Sequence, residues 1–200
     1  MISIITGDII NSRKINSDEW LPQLKDFLAT IGSRPKIWDI YRGDSFQVQA
    51  PILEALKIAI IIKSIIKQKK EIDVRMSIGI GKVQYDSERI TESYGTAFIN
   101  SGESLENMHK NKLSICTPIE EINDYFQIIL KLLSLSMDNW KPATAATIFH
   151  ALTYETLNQK DLSQLMKKKP ATISEALKRG GYSEIQATIN LYKEKIQRYV

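Results

Sequence analysis

The chain has a single cysteine in 200 residues. Cys116 therefore has no partner for an internal disulfide. Its apolar, strand-like surroundings (LSICT) predict an inert buried thiol, and a reducing compartment, the cytoplasm, fits that usage. There is no Pro/Gly/Ser-rich tract, no low-complexity block and no internal repeat. Disorder and solenoid architectures are thereby disfavoured. The opening MISIITGDII has no basic segment and meets a charge at Asp8, which is not the pattern of a signal peptide. Long apolar runs are also missing. The most lipid-like stretch, Ile58–Ile66, is flanked or interrupted by Lys57, Lys63 and Lys67. It falls far short of the ~20 apolar residues that a membrane span needs. It predicts a helix buried in a soluble core, with no membrane partner.

Excess charge is absent from the first two-thirds of the chain. Residues 1–137 hold seventeen basic and seventeen acidic side chains, whereas Asp138–Val200 hold ten basic against six acidic. The whole net charge of +4 thus lies in the last third. That asymmetry points to a C-terminal segment meeting a polyanion.

The elements follow from periodicity. Ile2–Thr6 reads as a buried strand that ends at Gly7-Asp8. Asn16-Ser17-Asp18 offers a cap to a helix carrying Trp20, Leu24, Phe27, Leu28 and Ile31. KIWDIY and SFQVQA flank a tight turn at Arg42-Gly43, a β-hairpin pattern. A helix is expected from about Ile52 to Lys70, then a strand in VRMSIGIGKV. A further helix spans Gly95 to about His109, LSICT is a short strand, and an acidic helix covers roughly Ile119–Leu135. The order β-α-β-β-α-β-α-β-α predicts an α/β (α+β) domain, a mixed sheet with helices packed on it, over residues 1–137. From Asp138 the pattern becomes all-helical, so a small second domain is expected over 138–200.

Two carboxylates stand out in the first domain. Asp8 follows the first strand and Asp44 follows the hairpin turn. If those strands are neighbours, both side chains reach one edge of the sheet, where two carboxylates repel unless a cation lies between them. Mg²⁺ or Mn²⁺ suits such oxygen donors together with nucleotide phosphates. Gly43 lets the backbone turn sharply, and Gly7 permits close approach of a ligand. The plainer alternative is that Asp8 caps a turn and Asp44 is a turn residue.

The segments ITGDIINS, YRGDSFQV, VRMSIGIGKV and YGTAFINSGESLENM, in that order, resemble the nucleotidyl-cyclase fold, a ferredoxin-like mixed sheet shared by class III cyclases and GGDEF-type synthases. With the C-terminal tail, nearly the whole chain resembles the SatD family of small bacterial proteins. The resemblance implies Asp8 and Asp44 as metal ligands, assisted by the carbonyl of Ile9, with Gly43 and Asn100 at the nucleotide. The sequence also departs from active cyclases. Those carry an Arg four residues after the helix Asn, where this chain has Ser104. Losing a preorganised cation at the reacting phosphate commonly costs orders of magnitude in rate. Arg13, Lys14 and Lys82 are the basic residues that could substitute.

In the second domain, Asn158–Met166 and Ala171–Arg179 resemble the two helices of a bacterial helix-turn-helix. Leu162, Leu165, Ile173 and Leu177 are spaced to pack the pair. Thr172, Ser174, Glu175 and Lys178 then face outward, where short hydroxyls suit phosphate or base edges. Lys168, Lys169, Lys178 and Arg179 are placed to meet phosphates, with Lys167 beside them. The plainer alternative is a helical bundle for dimerisation with solvated lysines. His150, Trp38 and Trp140 read as core or interface residues.

Three functions compete. One is a cytoplasmic DNA-binding transcription regulator, dimeric because such units read two half-sites, whose cyclase-like domain binds a nucleotide or a divalent metal. Another is a metal-dependent nucleotidyl cyclase or nucleotidyltransferase acting on ATP or GTP; the missing arginine weighs against activity. The third is a protein-interaction module with a vestigial domain.

Overall fold

The structure is a computed structural model and describes residues 1–199. It has an α+β architecture, with a five-stranded mixed sheet and, among the described residues, eight α-helices. In chain order the elements are β1 (Ile2–Ile10), α1 (Leu21–Ile31), β2 (Trp38–Tyr41), β3 (Ser45–Ala50), α2 (Ala55–Ile66), β4 (Asp73–Gly81), α3 (Thr96–Asn107), β5 (Leu113–Cys116), α4 (Glu120–Met137), α5 (Pro142–Thr153), α6 (Gln159–Leu165), α7 (Pro170–Gly180) and α8 (Tyr182–Gln197). The order read from periodicity is the order observed.

The strands lie β2-β3-β1-β4-β5, antiparallel except for the parallel pair β4 and β5. β1 is the central strand. It runs through Ile10, four residues past the expected end at Thr6. Pairing on both sides is the reason: β3 holds it to Asp8 and β4 to Ile10, which overrides the poor strand propensity of Gly7 and Asp8. Gly7 is required there. A Cβ at that position would stand 2.7 Å from Phe46 and 2.8 Å from Met76.

α1 and α2 cover one face of the sheet. Ile5, Ile9, Phe46, Val48, Met76 and Ile78 point into it and are buried. α3 covers the other face, seated on bare backbone. A Cβ on Gly79 would meet the Ala97 carbonyl at 2.2 Å, so the strand carries glycine where the helix crosses. Asn100 Nδ2 ties the same helix to the Ile80 carbonyl at 2.8 Å.

α2 packs against the sheet on one side and α5 on the other, and every residue except Lys57 is buried. An all-round apolar helix needs such enclosure. No helix among the described residues is long and apolar enough to cross a membrane. Residue 137, the expected boundary, ends α4. One apolar cluster crosses it without a break, from Ile5 to Ile196. Tyr192 illustrates the join: its ring packs edge-on against Phe126, and its hydroxyl donates to the Ile52 carbonyl at 2.8 Å. Burial, and then Glu54, raise the pKa of that phenol. Trp38 and Trp140 are core residues, as expected, and their indole N–H groups donate to the carbonyls of Gly32 and Gly180.

Candidate functional site

The even-numbered residues of β1 face α3. Ile4 packs with Ala97, and Thr6 Oγ1 lies 2.9 Å from Ser101 Oγ. Asp8 extends that row beyond the helix, near the end of the strand. Because β1 is bulge-free, Asp8 stands on the strand itself rather than after it, opposite Ser45 of β3 and Arg75 of β4. Asp44 closes the hairpin next to it, and its carbonyl accepts from the Ile9 N–H at 3.0 Å. The strand adjacency on which the aspartate pairing depends is therefore present. Ile9 itself sends its side chain into the core, so only its backbone faces this end.

Neither carboxylate is bare. Arg75 Nε donates to Asp8 Oδ1 at 2.7 Å, with both side chains partly exposed. Ser12 Oγ donates to Asp44 Oδ2 at 2.7 Å. Tyr41 is close by; burial first, and the charge of Asp8 to a lesser extent, raise its pKa, while Arg42 opposes them. Arg42 and Gly43 both take positive φ, 53° and 88°, in the exposed turn, and Gly43 has nothing within 4 Å of a built Cβ. The result is a mixed-charge patch at one sheet end, made of Asp8, Asp44, Arg75, Arg42, Ser12 and Tyr41. Two carboxylates from adjacent strands are a donor set that Mg²⁺ accepts. Arg75 already neutralises one of them, so an ion would have to share or displace that guanidinium. Among the described residues, no group of three or more His, Cys, Asp or Glu side chains is placed to share a metal.

The basic partner of Asp8 is Arg75, not Arg13, Lys14 or Lys82. Arg13 and Lys14 sit exposed in the 3-10 turn after β1, and Lys82 follows the far end of β4. Asn100 is also elsewhere. It bonds to Ile80, five residues along β4 from Arg75, or roughly 16 Å at strand rise. Ser104 is engaged with Ser114, Oγ to Oγ at 2.8 Å. Behind the patch, Ser77 is fully buried and its Oγ has no partner.

A second charged cluster escaped sequence reasoning. Lys63, whose side chain is 0% exposed, donates to Asp73 Oδ1 at 3.0 Å and Asp138 Oδ1 at 2.6 Å. Lys112 bridges the same two carboxylates at 2.9 and 3.2 Å, and Lys67 donates to the Asp138 carbonyl. Burial pushes Asp73 up, but Lys63, Lys112, Lys67 and the Val74 N–H outweigh it and leave its pKa lowered. The only sequence signal was a lysine within an apolar helical run, and nothing in the spacing identifies its partners.

In the C-terminal segment α6 and α7 are joined by Met166–Lys169. Asn158 caps α6 through a capping box with Asp161. Lys167 ends it at φ 51°, with Lys167 N–H bonding to Gln164 and Lys168 N–H to Ser163. This is a Schellman closure with lysine in the left-handed position that glycine usually takes. Leu162, Ile173, Ala176 and Leu177 are buried between the helices and the core. Leu165 is not. It is 48% exposed, and Met166 packs inward instead, because the short helix ends before its next turn can face α7. Lys168, Lys169, Thr172, Ser174, Lys178 and Arg179 are all exposed, but Ser174 and Lys178 line one groove and Arg179, paired with Glu175 at 3.3 Å, lines another. The first turn of α7 has Pro170 at its start and no side-chain cap. Its last turn is fixed: Gly180 abuts Ile148, and its carbonyl takes the Trp140 indole.

His150 stacks on Tyr154 and is half-buried; burial, then Lys168, lower its pKa. Cys116 is half-buried rather than buried as expected, and burial followed by Glu103 raises its thiol pKa. Comparison with family models, curated proteins and solved structures finds no match for this chain.

Proposed function

We propose that this protein is a DNA-binding regulator whose α6–α7 unit contacts duplex DNA and whose sheet-end patch receives an anionic ligand, such as a nucleotide, with or without a divalent ion. One observation carries the DNA half. α7 buries Ile173, Ala176 and Leu177 while presenting Thr172, Ser174, Lys178 and Arg179, with three further lysines in the turn before it. That is the division of labour of a recognition helix: apolar residues hold the helix, hydroxyls reach base edges, and cations meet phosphates. The uncapped first turn leaves backbone N–H groups for a phosphate as well. Selection of binding sites from a random duplex library tests it. The expected outcome is an enriched sequence that changes with Ser174→Ala or Thr172→Ala, while Lys168→Glu weakens binding to every duplex. Absence of any enrichment and of any salt-dependent binding sinks the DNA half.

The ligand half is supported by the β-α-β-β-α-β run with strand order β2-β3-β1-β4, the order that a ferredoxin-like, cyclase-like core requires. It is supported also by the adjacency of Asp8 and Asp44. With Arg75 already on Asp8 and, among the described residues, no further cation in the patch beyond Arg42, the patch suits holding a ligand better than reacting with it. A thermal-shift screen with Mg²⁺, Mn²⁺ and nucleoside triphosphates is the test. A ligand at a hundred times its Kd stabilises by about 2.7 kcal/mol. Asp8→Asn and Asp44→Asn should remove the shift. No shift from any combination rejects the ligand half and leaves the DNA half standing.

A further inference from the structure

α4 is apolar on two sides. Ile122, Phe126, Leu130, Leu133 and Met137 are buried against the fold. On the outer side Tyr125, Ile128, Leu132 and Leu135 are 47%, 63%, 62% and 71% exposed, Tyr125 with the Lys195 ammonium of α8 over its ring at 5.0 Å. Their spacing is three, four and three residues, the a/d repeat of a coiled-coil seam. They form one stripe about 15 Å long on a single helix. A soluble helix with apolar residues on both sides is normally covered on both.

We propose that the cover is a second copy of the same chain, with α4 packed antiparallel on its two-fold mate. The stripe's width argues for a helix as the occupant, since an a/d row is too narrow to seat a sheet. Charge argues for the same helix, reversed. The first turn of α4 carries Glu120 and Glu121, and Asp124 follows one turn later, exposed. The other end of the stripe opens onto a groove of about 580 Å³ where Leu135 and Asn139 adjoin Lys141, the cation there that has no carboxylate of its own among the described residues, Arg179 being paired with Glu175. Antiparallel pairing sets the acidic end of each helix against the basic end of its mate and opposes the helix dipoles. Parallel pairing would stack three acids on three acids. In the antiparallel arrangement Tyr125 meets the mate's Leu135, and Ile128 meets the mate's Leu132. A self-complementary patch of this kind is what a two-fold dimer requires, and its four anchors would form the apolar centre of an interface of about 800 Å² per partner. The inference is independent of DNA binding. A dimer that ignores DNA defeats only the regulator reading, and a monomer that binds DNA defeats only this one.

Sedimentation equilibrium of the full chain tests it. The native protein should show twice the chain mass at micromolar concentration. Leu132→Glu with Leu135→Glu should weaken association about a hundredfold, the scale of losing central interface anchors. Because both side chains are exposed, circular dichroism and thermal midpoint should stay native. A monomeric native protein, or a double variant as dimeric as the native one, overturns the proposal. Orientation is read by oxidative cross-linking in a Cys116→Ser background. A mixture of Tyr125→Cys and Leu135→Cys proteins should cross-link, and Tyr125→Cys alone should not. Self-linking of Tyr125→Cys at the rate of the mixture overturns the antiparallel assignment.

Discussion

Arg75 changes the meaning of Asp8. A carboxylate at the end of a central strand, alone beside Asp44, would call for a cation. With a guanidinium at 2.7 Å the call is already answered. The pair is partly exposed on both sides, so it adds only about 0–1 kcal/mol to stability. Asp8→Asn should therefore leave the denaturation midpoint nearly unchanged, and a double-mutant cycle with Arg75→Gln should return a coupling within that range. A large loss of stability in Asp8→Asn would mean that the patch is structural. Lys63 is the opposite case. Lys63→Ala strips a fully buried ammonium from two carboxylates, and breaking a buried pair commonly costs about 3–5 kcal/mol. The lower end is expected, because Lys112 still bridges Asp73 and Asp138. The pH dependence follows from Asp73. Its folded pKa lies below the ordinary 3.8, so its stabilisation is complete above that pH and is lost as the pH falls through the lowered value. Acid denaturation should begin in that window, and Asp73→Asn should flatten it. An acid limb unchanged by Asp73→Asn would contradict the assignment.

At the scale of elements, the turn between α6 and α7 holds an avoidable strain. Lys167 occupies left-handed backbone at φ 51°, which costs a non-glycine residue about 1 kcal/mol. Lys167→Gly should raise the thermal midpoint by roughly 2–4 °C, the shift per kcal/mol for a chain of this size. It should also leave the α6–α7 geometry intact. An unchanged or lower midpoint would show that the lysine side chain contributes more than its backbone costs. The elements were legible in the sequence wherever a period was clean. β3 alternates in SFQVQA, and α1 carries apolar residues at helical spacing. Ends were less legible. β1 outran Thr6 because pairing on two sides, not local propensity, decides where a central strand stops. Leu165 has the spacing of a packing residue, yet the helix ends under it. The outer stripe of α4 stayed hidden because two apolar stripes on one helix merge into a single apolar run when only spacing is read.

At the scale of the whole molecule, α2 joins the two segments. It lies between the sheet and α5, with the Lys63 cluster at one end and Lys57 paired to Glu155. The chain's charge asymmetry is partly kept on folding: the neutral first segment builds the sheet and its mixed-charge patch, and five of the last segment's ten cations are exposed on α7 and the turn before it, Arg179 among them paired with Glu175. That the strands carrying the aspartates are neighbours was readable from the element order. That Arg75 meets one of them was not, since cross-strand register is set by long-range pairing rather than by spacing. The account stands or falls on what α7 and its lysines touch. Fluorescence anisotropy of a labelled duplex, titrated with the protein across a series of salt concentrations, measures this directly. The account predicts that log affinity falls linearly with log salt, and that Lys168→Ala lowers the slope by about one while weakening all duplexes alike. Binding that is absent at low salt, or a slope that Lys168→Ala and Lys169→Ala leave untouched, would contradict it.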